Sequence, residues 1–190
     1  MPIRFAQKSD YPAMLEIYRP YVETTRISFE YETPAADVFE RRLNAIAEKH
    51  PVLVFEENGK ISGYAYTADV FERAAYSWCA ELSVYVEKEC RGRGIGKRLV
   101  CAAEDIARLL GYKLLYSLVT EENAASIAFH NALGYKQIAF FPGQGYKFGA
   151  WTGVVWFEKR LSENSGKITI PPHISRVYRK NFDEILKKYE

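Results

Sequence analysis

The chain of 190 residues has no apolar run near the roughly 20 residues of a membrane-spanning helix, so no membrane association is expected. It has no charge excess either. Its 26 Lys and Arg stand against 24 Asp and Glu, and no basic stripe appears outside one glycine-rich turn, so nucleic acid is not an expected partner. Cysteine is scarce: Cys79, Cys90 and Cys101 show neither CxxC nor metal-ligand spacing. The odd count and the lack of a signal-peptide pattern predict free thiols in a reducing cytoplasm, and no metal. No segment repeats. What remains is 48% apolar and 26% charged, the composition of a globular protein with a real core. Aromatics are abundant, with 14 Tyr and 11 Phe, which predicts a tight core or an aromatic-lined pocket.

Apolar periodicity and turn residues order the elements. Pro2 to Gln7 reads as a short strand. Ser9 and Asp10 cap a helix with Met14, Ile17, Tyr18 and Tyr21 on its apolar face, which Pro20 should kink or end. A second helix starts near Ala35, with Phe39, Leu43 and Ile46 at helical spacing. Two strands flank Asn58-Gly59, a strong hairpin signal, and a third runs from about Tyr76 to Val86. A helix from about Lys97 to Leu110 buries Leu99, Ala103, Ile106 and Leu110 and stops at Gly111. KLLYSLV is apolar throughout, as a strand buried on both faces should be. ENAASIAFHNALG is a short helix, and YKQIAFF and TGVVWFEKRL are strands. The order predicts an α+β fold: a mixed, mostly antiparallel sheet of about seven strands with helices on both faces. The domain should span residues 1–161. Residues 162–190 read as an extension, a linker (SENSGKITIPPH) and a short amphipathic helix (NFDEILKKYE), lying on the domain or on a neighbouring subunit.

The turn RGRGIG, Arg91 to Gly96, sets bare backbone beside positive charge, a combination suited to an anion. It is not a P-loop, because Arg98 follows Lys97 where Ser or Thr is needed, and Arg91 stands where the first glycine belongs. It is not a dinucleotide fingerprint, because its glycines are spaced G-x-G-x-G and it follows a hairpin series. Arg91, Gly94 and Gly96 do match the pyrophosphate turn of acetyl-coenzyme A transferases, in which a helix N-terminus aims N–H groups at the anion. A glycine-rich surface turn would explain the same letters.

Several motifs in order narrow the choice. Glu81 and Ser83-Val84-Tyr85-Val86 precede the turn; Asn123, Ser126, His130, Gly134 and Tyr135 follow it; Lys147-Phe148-Gly149 and Trp151 come near the end. Together they resemble the GNAT superfamily of N-acetyltransferases, and within it the phosphinothricin/methionine sulfoximine acetyltransferases. The resemblance runs from Ile3 to about Leu161. Two departures are an alanine, Ala80, where valine is usual, and Tyr146 and Ala150 where many members have arginines around the KFG segment.

The resemblance implies acetyl transfer from acetyl-CoA to the amine of a small amino-acid analogue. Glu81 is then the general base, and His130 a candidate to protonate the leaving thiolate. The main chain of Val84, Tyr85 and Val86 would pair with pantetheine. Arg91, Gly92, Arg93, Gly94, Ile95, Gly96 and Lys97 would hold the pyrophosphate, and Asn123 and Ser126 the pantetheine arm. Lys147 is a candidate for the acceptor carboxylate, with Phe29, Tyr31 and Trp151 as pocket walls. A homodimer is implied by the resemblance alone. Plainer readings stay open: Asn123 as an N-cap, Ser126 as a surface serine, His130 as packing, Lys147 as solvated, the aromatics as core. Two other functions also stay open, a protein or other amine acetyltransferase and a non-catalytic acyl-CoA-binding module.

Overall fold

A computed structural model of the chain describes residues 2–163, 169–177 and 180–189. Residues 164–168 of the expected linker lie outside the described part, as does Glu190 at the end of the expected final helix. Seven strands form one sheet: β1 (Ile3–Phe5), β2 (Val52–Glu57), β3 (Lys60–Ala68), β4 (Cys79–Val86), β5 (Leu114–Thr120), β6 (Lys136–Lys147) and β7 (Ala150–Arg160). Their spatial order is β1-β2-β3-β4-β5-β7-β6. Only β4 and β5 run parallel; the other pairs are antiparallel. This is the mixed, mostly antiparallel sheet that the pattern predicts. No described helix is long and apolar enough to cross a membrane.

Helices cover both faces. α1 (Tyr11–Glu23) and α2 (Ala36–Lys49) bury Met14, Tyr18, Val22, Phe39 and Leu43 on one face, against Val52, Val54 and Tyr64. On the other face α3 (Ile95–Leu110) buries Leu99, Val100, Ala103 and Ile106 against Leu53, Ala65, Leu82 and Leu115. α4 (Ala124–Ala132) lies beside α3's N-terminal end and packs Ile127 and Phe129 on that second core. α5 (Lys180–Lys187) docks there as well, with Phe182 fully buried and its ring 5.6 Å from that of Phe5. Trp78 Nε1 donates to the Thr169 carbonyl at 3.0 Å, so the extension lies on its own domain.

Several boundaries differ from the sequence expectation: β4 starts at Cys79 and not near Tyr76, α3 starts at Ile95 and not near Lys97, and two further differences have a clear cause. Pro20 does not end α1; the helix runs three residues further, where the Thr24 N–H and hydroxyl both donate to the Pro20 carbonyl. β6 extends past YKQIAFF to Lys147, because a break in register between Phe141 and Gly145 absorbs Pro142 and Gly143 on this edge strand. Phe148 and Gly149, both at positive φ, then turn the chain back into β7.

A buried polar cluster ties the ends of β2 and β3 to the core. His50 is 2% exposed; its Nε2 lies 3.1 Å from Asp69, and its Nδ1 is 3.2 Å from both Thr67 Oγ1 and Tyr112 Oη. Burial lowers its pKa from 6.5 to about 4, against the pull of Asp69, with Lys49 and His173 adding to the lowering. Unfolding therefore takes up a proton between these values. The stabilisation is complete above pH 6.5 and is lost as pH falls to 4, by about 3 kcal/mol. Urea unfolding at pH 7 and pH 4.5 should show a larger loss in the wild type than in His50→Gln. Equal losses would show that His50 does not titrate in this way.

Candidate active site

β4 and β5 pair over three positions only: Cys79 with Leu114, Ala80 with Leu115 and Glu81 with Tyr116. Beyond Glu81 they diverge, bridged by the Ser117 hydroxyl donating to the Leu82 carbonyl at 3.1 Å. The gap opens into a cavity of about 460 Å³. Leu82 to Val86 line one side, Ser117 to Thr120 the other, and the turn before α3 closes one end. Of the expected cofactor residues, Val84, Tyr85, Val86, Arg91, Gly92, Gly94, Ile95, Gly96, Lys97, Asn123 and Ser126 line it. Arg93 does not; its guanidinium turns out to Glu57 at 2.6 Å.

Local geometry explains the turn. Gly92 and Gly94 have φ of 78° and 79°, a region that side chains disfavour, and Gly94 is the N-cap of α3. The Arg98 N–H returns to the Gly94 carbonyl, which leaves the N–H groups of Ile95, Gly96 and Lys97 in the unsatisfied first turn, with the positive end of the helix dipole. Arg91 stacks its guanidinium over the Tyr21 ring at 5.0 Å.

Tyr21 is a residue that sequence reasoning placed only on α1's apolar face. Its hydroxyl donates to the Val86 carbonyl at 2.7 Å and accepts from the Val86 N–H at 3.2 Å. The Val86 main chain, expected to pair with pantetheine, is therefore already held by a side chain. Ser117 was missed too, although a hydroxyl inside the apolar run KLLYSLV is a visible signal.

Asn123 caps α4, accepting from the Ser126 N–H at 3.2 Å, and its amide nitrogen stays available to the cavity. His130 is 3% exposed and stacks on Phe157 at 5.5 Å. Its Nδ1 lies 2.8 Å from the Ser126 carbonyl, which fixes the proton there; Nε2 is buried without a partner. Burial lowers its pKa, with the Ser126 carbonyl opposing. The ring is thus neutral at pH 7, and its Nε2 carries a lone pair and no proton for a thiolate. The expected acid role does not fit this arrangement.

Glu81 is the last β4 residue paired with β5, one position before the gap; it does not itself line the cavity, which begins at Leu82. The β3–β4 register sets Ala68 opposite Glu81, Tyr66 opposite Ser83 and Tyr64 opposite Tyr85, so all six share the face under α1 and α2. Burial raises the Glu81 pKa, and no cation among the described residues opposes that rise. A carboxylate in that state is a better proton acceptor than an ordinary surface glutamate.

The chain around this parted strand pair has known relatives. Residues 3–156 match the acetyltransferase (GNAT) domain family. The chain belongs to this family. It is 35% identical over 169 residues to an L-methionine sulfoximine/L-methionine sulfone acetyltransferase of Salmonella typhimurium, covering 87% of this chain and 97% of that one. It is 36% identical to the L-amino acid N-acyltransferase MnaT of Escherichia coli, over 87% of this chain and 96% of that one. A Sinorhizobium meliloti phosphinothricin acetyltransferase, solved in complex with AcCoA, superposes with a TM-score of 0.86 at 29% identity, covering 94% of this chain and all of that one.

The acceptor-side residues of this acetyltransferase are placed less simply. Lys147 is 1% exposed; its Nζ donates to the carbonyls of Val22 at 2.6 Å and Ser28 at 2.8 Å. This corrects the expectation of a carboxylate anchor: the ammonium ties the end of α1 to the following loop and does not line the β4–β5 cavity. The KFG segment places its lysine at a strand end, and the adjoining turn, not the lysine, is exposed. Phe29 packs on Gly145, so closely that an added Cβ there would fall 2.4 Å from the ring. The Tyr31 hydroxyl donates to the Tyr146 carbonyl at 2.6 Å, and Trp151 packs on Tyr146 at 5.1 Å. These rings cluster at the β6–β7 tip, and none lines the cavity.

Charge reaches the Glu81 face from α2 and its preceding loop instead. Arg42 pairs with Glu30 at 2.6 Å, and the Tyr66 phenol, bonded to Ser83, has Glu81, Arg42 and Glu30 around it. No motif signals this pair, since residues 30 and 42 meet only through the loop's path.

Proposed function

We propose that the chain transfers the acetyl group of acetyl-CoA to the amine of a small amino-acid analogue of the phosphinothricin or methionine sulfoximine/sulfone type. The observation that carries this reading is the gap between β4 and β5, open toward the α3 N-terminus and closed at Glu81. Five strand residues, about 17 Å, separate Val86 from Glu81, a length suited to an extended arm whose phosphates rest on the turn. The pyrophosphate takes the N–H groups at Ile95 to Lys97, with Arg91 and Lys97 adding charge. Asn123 holds the arm.

The acetyl carbon then lies near Glu81. An amino acid's amine has a pKa near 9, so roughly 1% is neutral at pH 7. Glu81 accepts the ammonium proton, directly or through one water. The amine nitrogen attacks the thioester carbon, the C–N bond forms and the C–S bond breaks; the nitrogen sheds its second proton to solvent as the amide forms, and CoA leaves as its thiolate, which takes a proton from solvent. Burial helps by keeping Glu81 basic and by excluding competing water. The names of the relatives support the acceptor class. The same reading makes the protein cytoplasmic and a homodimer, with exposed Tyr146, Phe148 and Trp151 offering apolar surface to a second copy.

A thiol-release assay tests this. Acetyl-CoA is offered with methionine sulfone, methionine sulfoximine, phosphinothricin, the matching amines without carboxylates, and short peptides. Release should be fastest with the free amino-acid analogues. Preference for peptides would replace the acceptor class. Tight acetyl-CoA binding with no release in any mixture would make the protein a binding module.

A further inference from the structure

β4 offers its main chain to the gap at alternate residues. The Tyr21 hydroxyl clasps the Val86 N–H and carbonyl, and the Ser117 hydroxyl clasps the Leu82 carbonyl. Leu82, Val84 and Val86 therefore point at β5. The residues between them point at β3, as does Glu87, whose N–H donates to the Ser62 carbonyl. The two clasps stand at the two ends of the cavity's β4 wall, and the one at Ser117 closes it. On the far side of that bridge, from Glu81 and Tyr116 back to Cys79 and Leu114, the strands pair as ordinary neighbours. Paired strands lie about 4.8 Å apart, which leaves no room for a ligand atom between them. The wall at the bridge is densely filled. Ser117 is 1% exposed, its β7 partner Phe157 is fully buried, and Phe157 stacks on His130 with ring centroids 5.5 Å apart.

We propose that the Ser117–Leu82 bridge is the stop for the donor's acyl chain and makes the site selective for acetyl-CoA over longer acyl-CoA thioesters. The inference rests on the acetyl-transfer reading, which sets the phosphates on the turn before α3 and the thioester toward the closed end of the gap. The donor is then held between two fixed points. Each further methylene adds one carbon–carbon bond, about 1.5 Å. A propionyl or butyryl group must force the bridge apart, or push the arm back and lift the phosphates off the N–H groups of α3. Either cost falls on the donor alone, so the selectivity does not depend on the acceptor.

Ser117→Ala removes the bridge, and Ser117→Thr keeps its hydroxyl. Steady-state constants for acetyl-, propionyl- and butyryl-CoA are compared in the wild type and both variants, with methionine sulfone as acceptor and melting temperature checking the fold. In the wild type kcat/KM should fall by about 10-fold or more for each added methylene. Ser117→Ala should raise the butyryl-to-acetyl ratio by about 10-fold, and Ser117→Thr should not raise it. The wild-type ratio should be the same with phosphinothricin as acceptor. A wild type that uses butyryl-CoA as well as acetyl-CoA overturns the inference. So does a Ser117→Ala variant with the wild-type ratio, or a ratio that changes with the acceptor. Calorimetric binding of the three thioesters gives a second readout that needs no turnover. If no acceptor is acetylated but butyryl-CoA binds more weakly than acetyl-CoA, and Ser117→Ala removes the difference, the acetyl-transfer reading falls and the acyl stop stands. If all three thioesters bind alike in wild type and variant, the acyl stop fails whatever the turnover.

Discussion

Glu81→Gln should lower kcat at pH 7 by about 10²–10⁴-fold while acetyl-CoA binds as before. The expectation follows from three facts. Glu81 ends the paired part of β4 and β5, one residue before Leu82, where the lining of the cavity begins. Its pKa is raised by burial, with no cation among the described residues opposing it. The amine it must serve is almost wholly protonated at neutral pH. Glutamine keeps the shape and hydrogen-bonding reach but accepts no proton. The pH profile should separate the roles. In the wild type, activity rises as Glu81 ionises, at a pH above the ordinary carboxylate range, and rises again with the free amine. In the variant the first limb should vanish and only the amine's remain. Stability should move the other way. A carboxyl whose folded pKa is raised holds its proton more tightly folded than unfolded, so ionising it weakens the fold as pH climbs through that range. At pH 7 the glutamine variant should melt at the same temperature or higher. A variant with wild-type turnover from pH 6 to 9 removes Glu81 from the mechanism; a variant that melts lower shows that its carboxylate is held by contacts the structure does not contain.

Elements set by local chemistry were legible in the sequence. Asn58 and Gly59 take positive φ in the hairpin turn, Gly111 takes it at the end of α3, and the stripe Leu99, Ala103, Ile106 and Leu110 is buried as its spacing requires. The glycines of the RGRGIG turn could be read because only glycine tolerates those backbone angles at little strain. What could not be read depends on which strands become neighbours. Nothing in the spacing of β4 and β5 says that they part after three pairs. Trp156 and Tyr116 lie 40 positions apart and join one sheet face only through the β5–β7 register. Lys147 misled because a lysine near a motif suggests a ligand, whereas its burial comes from the loop after α1 folding over it and offering two carbonyls. Pro20 misled for a similar reason: its penalty falls on a single hydrogen bond, and the buried face from Tyr11 to Val22 outweighs it.

Gly94→Asn should weaken acetyl-CoA binding by roughly 10²-fold with the fold intact. Gly94 has a φ of 79°, and an added Cβ would meet no protein atom within 4 Å. The empty protein therefore resists the substitution only through backbone strain, about 1–2 kcal/mol for most side chains and least for asparagine. The ligand would meet it directly, because the turn must let a pyrophosphate approach bare N–H groups. Each such contact is worth about 0.3–1 kcal/mol when exposed and up to about 2 when partly buried. Losing two or three of them gives about 3 kcal/mol, or roughly 10²-fold. Gly111→Asn supplies the control: it caps the other end of the same helix, also at positive φ, with no protein atom within 4 Å of its Cβ, and it does not line the β4–β5 cavity. Calorimetry should find acetyl-CoA affinity lost in Gly94→Asn and kept in Gly111→Asn, with both proteins melting within a few degrees of wild type. Salt should weaken the wild-type affinity, since Arg91 and Lys97 act partly as screened charges. If both variants bind alike, the α3 N-terminus is not where the phosphates rest, and the cofactor must lie elsewhere along the gap.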